Sequence, residues 1–258
     1  MKCYIARPDP ILLFLIIFFF GCIPERKLIL PNFNNFNINS YCYENQIKMK
    51  TEIVNKISSK TDEVIKACMD VEKKRFHLTA ILNKTNGKSK IITYEMYMID
   101  DMAYVWSSFK PEWIKFRINE KRWEEENVMR KQIQFIQFSN IRKIKKGGMY
   151  LLKINPPPMD FWNIIMLQTG EHPLLKLLNI NYADAIKEMN MEIWTTKDFY
   201  PLKCNMQMKA IIKGKMLKKP FRMIINIKSK YKYWNHNKPL NIQLPEKAKH
   251  AKMYVEEE

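Results

Sequence analysis

The chain has 258 residues, with 44 Lys or Arg against 26 Asp or Glu, for a formal net charge of +18. That length suffices for one domain with a sizeable core, while the charge admits nucleic acid or anionic lipid as partners without choosing between them. The five cysteines include no Cys-x-x-Cys pair, the four histidines are scattered and the six glycines form no phosphate-cradling loop, so metal-ligand spacings and nucleotide loops are missing from the outset.

Ile11 to Phe20 is an unbroken apolar run, preceded by Lys2 and Arg7 and closed by Gly21 and Cys22. This is the layout of a secretory signal, and it is shorter than the roughly 20 apolar residues that a spanning helix needs. Phe19-Phe20-Gly21-Cys22 resembles a lipobox, after which the cysteine is diacylated and becomes the new N-terminus. Residues 1–22 are therefore expected to be a lipoprotein-type signal with Cys22 lipidated. An uncleaved anchor and an ordinary signal peptide are the alternatives. Two acyl chains hold a protein stably where one holds it marginally, which places the rest of the chain on the extracytoplasmic side of a cell membrane. Pro24, Pro31 and the asparagines at 32, 34, 35, 37 and 39 read as a flexible tether over 23–44, with the domain following at 45–258.

Asn45 is placed to cap a helix in which Ile47, Ile53, Val54, Ile57, Val64, Ile65 and Cys68 recur at steps of three and four, with Lys and Glu on the other face. After Asp70 the period changes to two. Phe76, Leu78, Ala80 and Leu82 alternate with polar residues, Asn86-Gly87 makes a hairpin turn, and Ile92, Tyr94, Met96 and Met98 return. Asp100-Asp101 turns the chain into Met102–Ser107, and Trp113–Ile118 continues the meander. From Asn119 to Phe138 the pattern is helical, on Trp123, Val128 or Met129, Ile133 and Ile136. Strands resume at 141–145 and 150–154 around Gly147-Gly148, and an apolar insert between Pro156 and Leu178 reads as core or lid.

The last third alternates throughout. Met189, Met191 and Ile193 lead to Cys204, Met206, Met208, Ala210 and Ile212, then to Met223, Ile225, Ile227 and Tyr231, with most of the intervening residues basic. The lysines are thus expected to form the solvated face of an antiparallel sheet whose other face is buried. A surface for nucleic acid would interleave exposed aromatics with them, and here the aromatics fall mostly on the apolar side. No nucleic-acid partner is expected.

Two segments carry a family resemblance. Trp194 to Lys203 (WTTKDFYPLK), and the closing stretch from Tyr231 through Pro239 to Leu244-Pro245-Glu246-Lys247-Ala248, are similar to motifs of the LolA/LppX-like lipoproteins. The resemblance implies an α+β fold, a strongly curved antiparallel β half-barrel with helices covering the concave face. It also implies an apolar cavity for a lipid or other hydrophobic ligand, with local transfer of lipid or lipoprotein as its use. Met96, Met98, Met191, Met206, Met208, Met223 and Ile225 sit on the inward parity and are the expected cavity residues, since methionine adapts to varied apolar shapes. Their plainer reading is packed core. Met-x-Met pairs also suit soft copper(I), although in a strand that spacing merely puts both side chains on one face. No cofactor, metal or catalytic constellation is expected. The rival to ligand binding is a structural or partner-binding surface lipoprotein whose barrel is filled by its own side chains.

Overall fold

The computed structural model describes residues 38–53, 57–86, 88–130, 132–133, 142–146, 148–154, 185–216 and 219–254. All belong to the second of two compact units, Asn32–Glu258. The expected signal, Cys22, most of the tether and the insert after Pro156 lie outside the described residues.

Alternation of side chains dominates. β1 (Ser40–Ile53) and β2 (Ile57–Asp70) are followed by β3 (Arg75–Asn86), β4 (Lys88–Ile99), β5 (Met102–Ser107) and β6 (Lys110–Arg117). After a short helix α1 (Glu120–Glu126) come β7 (Arg142–Lys146), β8 (Met149–Ile154), β9 (Ile186–Thr195), β10 (Pro201–Met216) and β11 (Lys219–Trp234), then α2 (Glu246–Lys249) and β12 (Lys252–Met253). Among the described residues these form one sheet in the order β12-β6-β5-β4-β3-β2-β1-β11-β10-β9-β8-β7. Every pairing is antiparallel except that of the two-residue β12 with β6. An open, mostly antiparallel sheet of this size with few helices is consistent with a curved half-barrel.

The expected helix over 47–68 is instead a long hairpin. β1 and β2 pair from Ser40↔Asp70 to Ile53↔Ile57. Tyr41, Tyr43, Asn45 and Ile47 are buried while Gln46, Lys48 and Lys50 are exposed, and Thr61, Glu63, Ile65, Ala67 and Met69 repeat the rhythm against Lys60, Asp62 and Lys66. The isoleucines at 47, 53, 57 and 65 fit both a three-to-four step and odd parity. The β-branched content of the segment favours the pleated surface, and strands on both sides complete it. The tether boundary shifts as well, because residues 40–44 lie within β1, next to β11 at the centre of the sheet. Asn45 caps nothing: it is fully buried and its Oδ1 accepts a 2.6 Å hydrogen bond from Ser229 Oγ.

The other helical expectation holds in part. Asn119 caps α1 through its side chain, which accepts from the Arg122 N–H. The helix ends at Asn127 and the chain becomes helical again over 128–130 and 132–133. Trp123, Val128, Met129 and Ile133 are buried as expected, whereas Ile136 lies outside the described residues. β3 and β4 pair to their adjoining ends, with Asn86 opposite Lys88. Gly148, just before β8, takes φ +76, where a Cβ would be strained. Asp100 turns β4 into β5 at φ 53.

Candidate functional site

One face of the sheet is buried across its middle strands, and cross-strand register shows how its residues line up. One row runs Leu82, Glu63, Ile47, Ser229, Met206, Met191, Ile154, crossing from β3 to β8. The next runs Ala80, Ile65, Asn45, Tyr231, Cys204, Ile193, Leu152. These rows are apolar apart from a tyrosine and three other polar groups, Glu63, Asn45 and Ser229.

All seven residues expected to line a cavity fall on this face, in two groups. Met191, Met206, Met208, Met223 and Ile225 are buried on β9, β10 and β11. Met206 lies opposite Met191, Met208 opposite Ile227, and Met223 opposite Ile212. Met98 is fully buried on β4 between Phe76 and Ala103, and Met96 beside it is half-buried between Leu78 and Val105. Three strands separate the groups. Each Met-x-Met pair therefore shares one side of its strand, as the alternation requires.

Between the groups stands a cluster of four tyrosines, all buried. Tyr41 and Tyr43 have ring centroids 6.2 Å apart, Tyr43 and Tyr231 6.0 Å, and Tyr231 and Tyr233 lie 5.8 Å apart and nearly parallel. Burial raises the hydroxyls of Tyr41, Tyr43 and Tyr233 above the ordinary tyrosine range, so they act as neutral donors. The Tyr41 hydroxyl donates to Asn127 Oδ1 at 3.1 Å and accepts from the Met129 N–H, and Tyr233 donates to Gln132 Oε1 at 2.6 Å. Asn127, Met129 and Gln132 are thereby held against the buried face at β1 and β11.

Sequence reasoning passed over Glu63. It is 7% exposed, and its Oε2 has no hydrogen-bond partner. Desolvation pushes its carboxyl up from 4.5 to about 7. Odd parity along β2 was the available signal, and it was hidden by the helical reading of that segment.

The opposite face carries the charge. Lys48 stands opposite Lys228, Lys50 opposite Lys60, Lys203 opposite Lys232 and Lys213 opposite Arg222. Toward β4 this face has its own small cluster, in which His77 stacks on Tyr97 at 4.3 Å, and Tyr97 donates to Glu95 Oε1 at 2.9 Å. His77 is the cross-strand partner of Cys68, which forms a disulfide with Cys42. That pairing was open in the sequence. Among the described residues no helix is long and apolar enough to cross a membrane, and no group of three His, Cys, Asp or Glu is placed to hold a metal ion.

No family model and no curated protein matches the chain. Among solved structures, it is similar to a LolA superfamily protein from Nitrosomonas europaea, with 11% identity over 82% of this chain and 90% of that one, at a TM-score of 0.21. It is also similar to a beta-barrel-like protein with a domain of unknown function from Brucella abortus, with 8% identity over 77% of this chain and all of that one, at a TM-score of 0.25. Likenesses this distant carry no information about activity.

Proposed function

We propose that this protein is a lipid-anchored, extracytoplasmic lipoprotein that holds a lipid or other hydrophobic ligand against the buried face of its sheet, for storage or local transfer rather than catalysis. The observation that carries the reading is the largely apolar buried face, on which Met98, Met191, Met206, Met208 and Met223 are all buried, methionine being a side chain that adapts to varied apolar shapes. In this reading the face is concave, the helical residues after Asn119 cover part of it, and a ligand occupies the space between. The apolar run ending at Cys22 supports the anchor and the cell-membrane location. The rival is a structural lipoprotein whose inner face is packed solid and whose lysine face meets a partner, a use that the facing lysines favour.

Native mass spectrometry of the protein purified without added detergent, followed by organic extraction, tests the proposal. A stoichiometric lipid is expected, and it is lost when Met206 and Met208 are replaced by tryptophan, which overfills the face. A bare mass that stays unshifted when lipids are added would establish the filled core of the rival.

A further inference from the structure

Among the described residues three buried side-chain atoms have no hydrogen-bond partner, Glu63 Oε2, Gln132 Nε2 and His236 Nε2, and of these only Glu63 carries an acid. Ser229 donates to Asn45, Tyr233 to Gln132 and Tyr41 to Asn127. Glu63 is different. It points to the inner side from the middle of β2, with Ile47 opposite on β1, Leu82 opposite on β3, and Thr61 and Ile65 two residues away on its own strand. Its Oε2 is buried and unpartnered. A carboxyl held this way costs stability whenever it ionises, and a packed core would do better with leucine.

We propose, resting on the ligand-binding reading above, that Glu63 recognises the head group of the ligand, and that this head is a cationic amine. An alkylammonium donates N–H bonds and brings the opposite charge, which is what a desolvated carboxylate lacks. The chain attached to such a head has an apolar path. From Glu63 the cross-strand row passes Ile47 and Ser229 to Met206 and Met191. Met206 lies three strand spacings away, about 14 Å, within reach of a dodecyl chain.

Other groups near Glu63 do not compete for the role. Tyr43 on β1 feels its charge but is itself kept neutral by burial. Lys84 on β3 is directly opposite Thr61 and is exposed to solvent. Asp62 and Val64, its chain neighbours, are on the outer side and exposed. Among the described residues, Glu63 is therefore the group at this position whose carboxyl changes charge near neutrality.

The test uses the full chain with three probes of equal tail length, dodecylamine, dodecanol and dodecanoate, followed by calorimetry below their aggregation limits at about pH 5 and about pH 8.5. Wild type is expected to prefer the amine over the alcohol roughly ten-fold more strongly at the higher pH, because the carboxyl is ionised there while the amine stays cationic. Glu63→Gln, nearly the same shape, is expected to abolish that pH-dependent gain. An amine-to-alcohol ratio that is flat with pH in wild type, or identical in wild type and E63Q, overturns the role of Glu63 while the ligand-binding reading stands. Failure of wild type to bind any of the three overturns both. The pH arm needs no variant, so the result does not depend on how well E63Q folds.

Discussion

The Tyr233 hydroxyl donates a 2.6 Å hydrogen bond to Gln132 Oε1, joining the end of β11 to the helical residues 101 positions earlier in the chain. Both residues are buried, and Gln132 Nε2 has no partner of its own. Tyr233→Phe therefore leaves a buried amide with neither end satisfied, at a cost of about 1 to 3 kcal/mol. The double variant Tyr233→Phe, Gln132→Met removes both partners and is expected to recover most of that loss. Urea unfolding of wild type, the two single variants and the double variant measures the coupling.

The disulfide between Cys42 and Cys68 closes a loop of sequence separation 26 at the centre of the sheet. On the chain-entropy account its removal costs about 3 kcal/mol. Thermal melts with and without reductant are expected to differ by roughly 8 °C. Equal melting temperatures would mean that the bridge contributes nothing beyond the strand pairing already present.

Glu63 gives stability a definite pH dependence. Its folded-state pKa of about 7 stands above the unfolded value of 4.5, so between these limits the native state binds more protons. Its contribution is fully present below about pH 4.5 and falls as pH rises toward 7, by an amount on the order of 3 kcal/mol. Glu63→Gln should accordingly melt higher than wild type at pH 8 and match it at pH 4. Identical curves at both pH values would show that the carboxyl is better solvated than its burial indicates.

Like charges directly opposite each other on an antiparallel sheet repel. With lysine facing lysine at Lys48/Lys228, Lys50/Lys60 and Lys203/Lys232, screening should stabilise the fold. Raising sodium chloride from about 0.05 to 0.5 M shortens the Debye length several-fold and is expected to raise the melting temperature by roughly 3 °C. Lys228→Glu should reduce that salt response. A melting temperature that falls with salt would point instead to a sheet held together by its ion pairs.

Local chemistry was legible wherever one period ruled the sequence. Alternation from Phe76 to Met98 and in the strands between Met189 and Tyr231 assigned the buried side, including Met98, Met191, Met206, Met208 and Met223. The helix after Asn119 was legible from its period, and Asp100-Asp101 announced a turn because Asp tolerates the backbone angle found there. The basic outer face was legible for the same reason: parity alone separates lysine from methionine.

Non-local pairing was not legible. The stretch from Ile47 to Cys68 satisfies a helical step and a strand alternation together, and only the edges offered by β3 and β11 decide for the hairpin. Pairing of β1 with β11 joins the two halves of the open sheet, and no local pattern encodes which distant edge a strand will meet. The partner of Cys42 follows from the β1–β2 register, and the burial of Glu63 follows from its position in the same hairpin. Where a single period ruled, parity settled which side chains turn toward water and which away; which of them meet was settled by the fold, because register is set by both strands of a pair and by the neighbours that flank them.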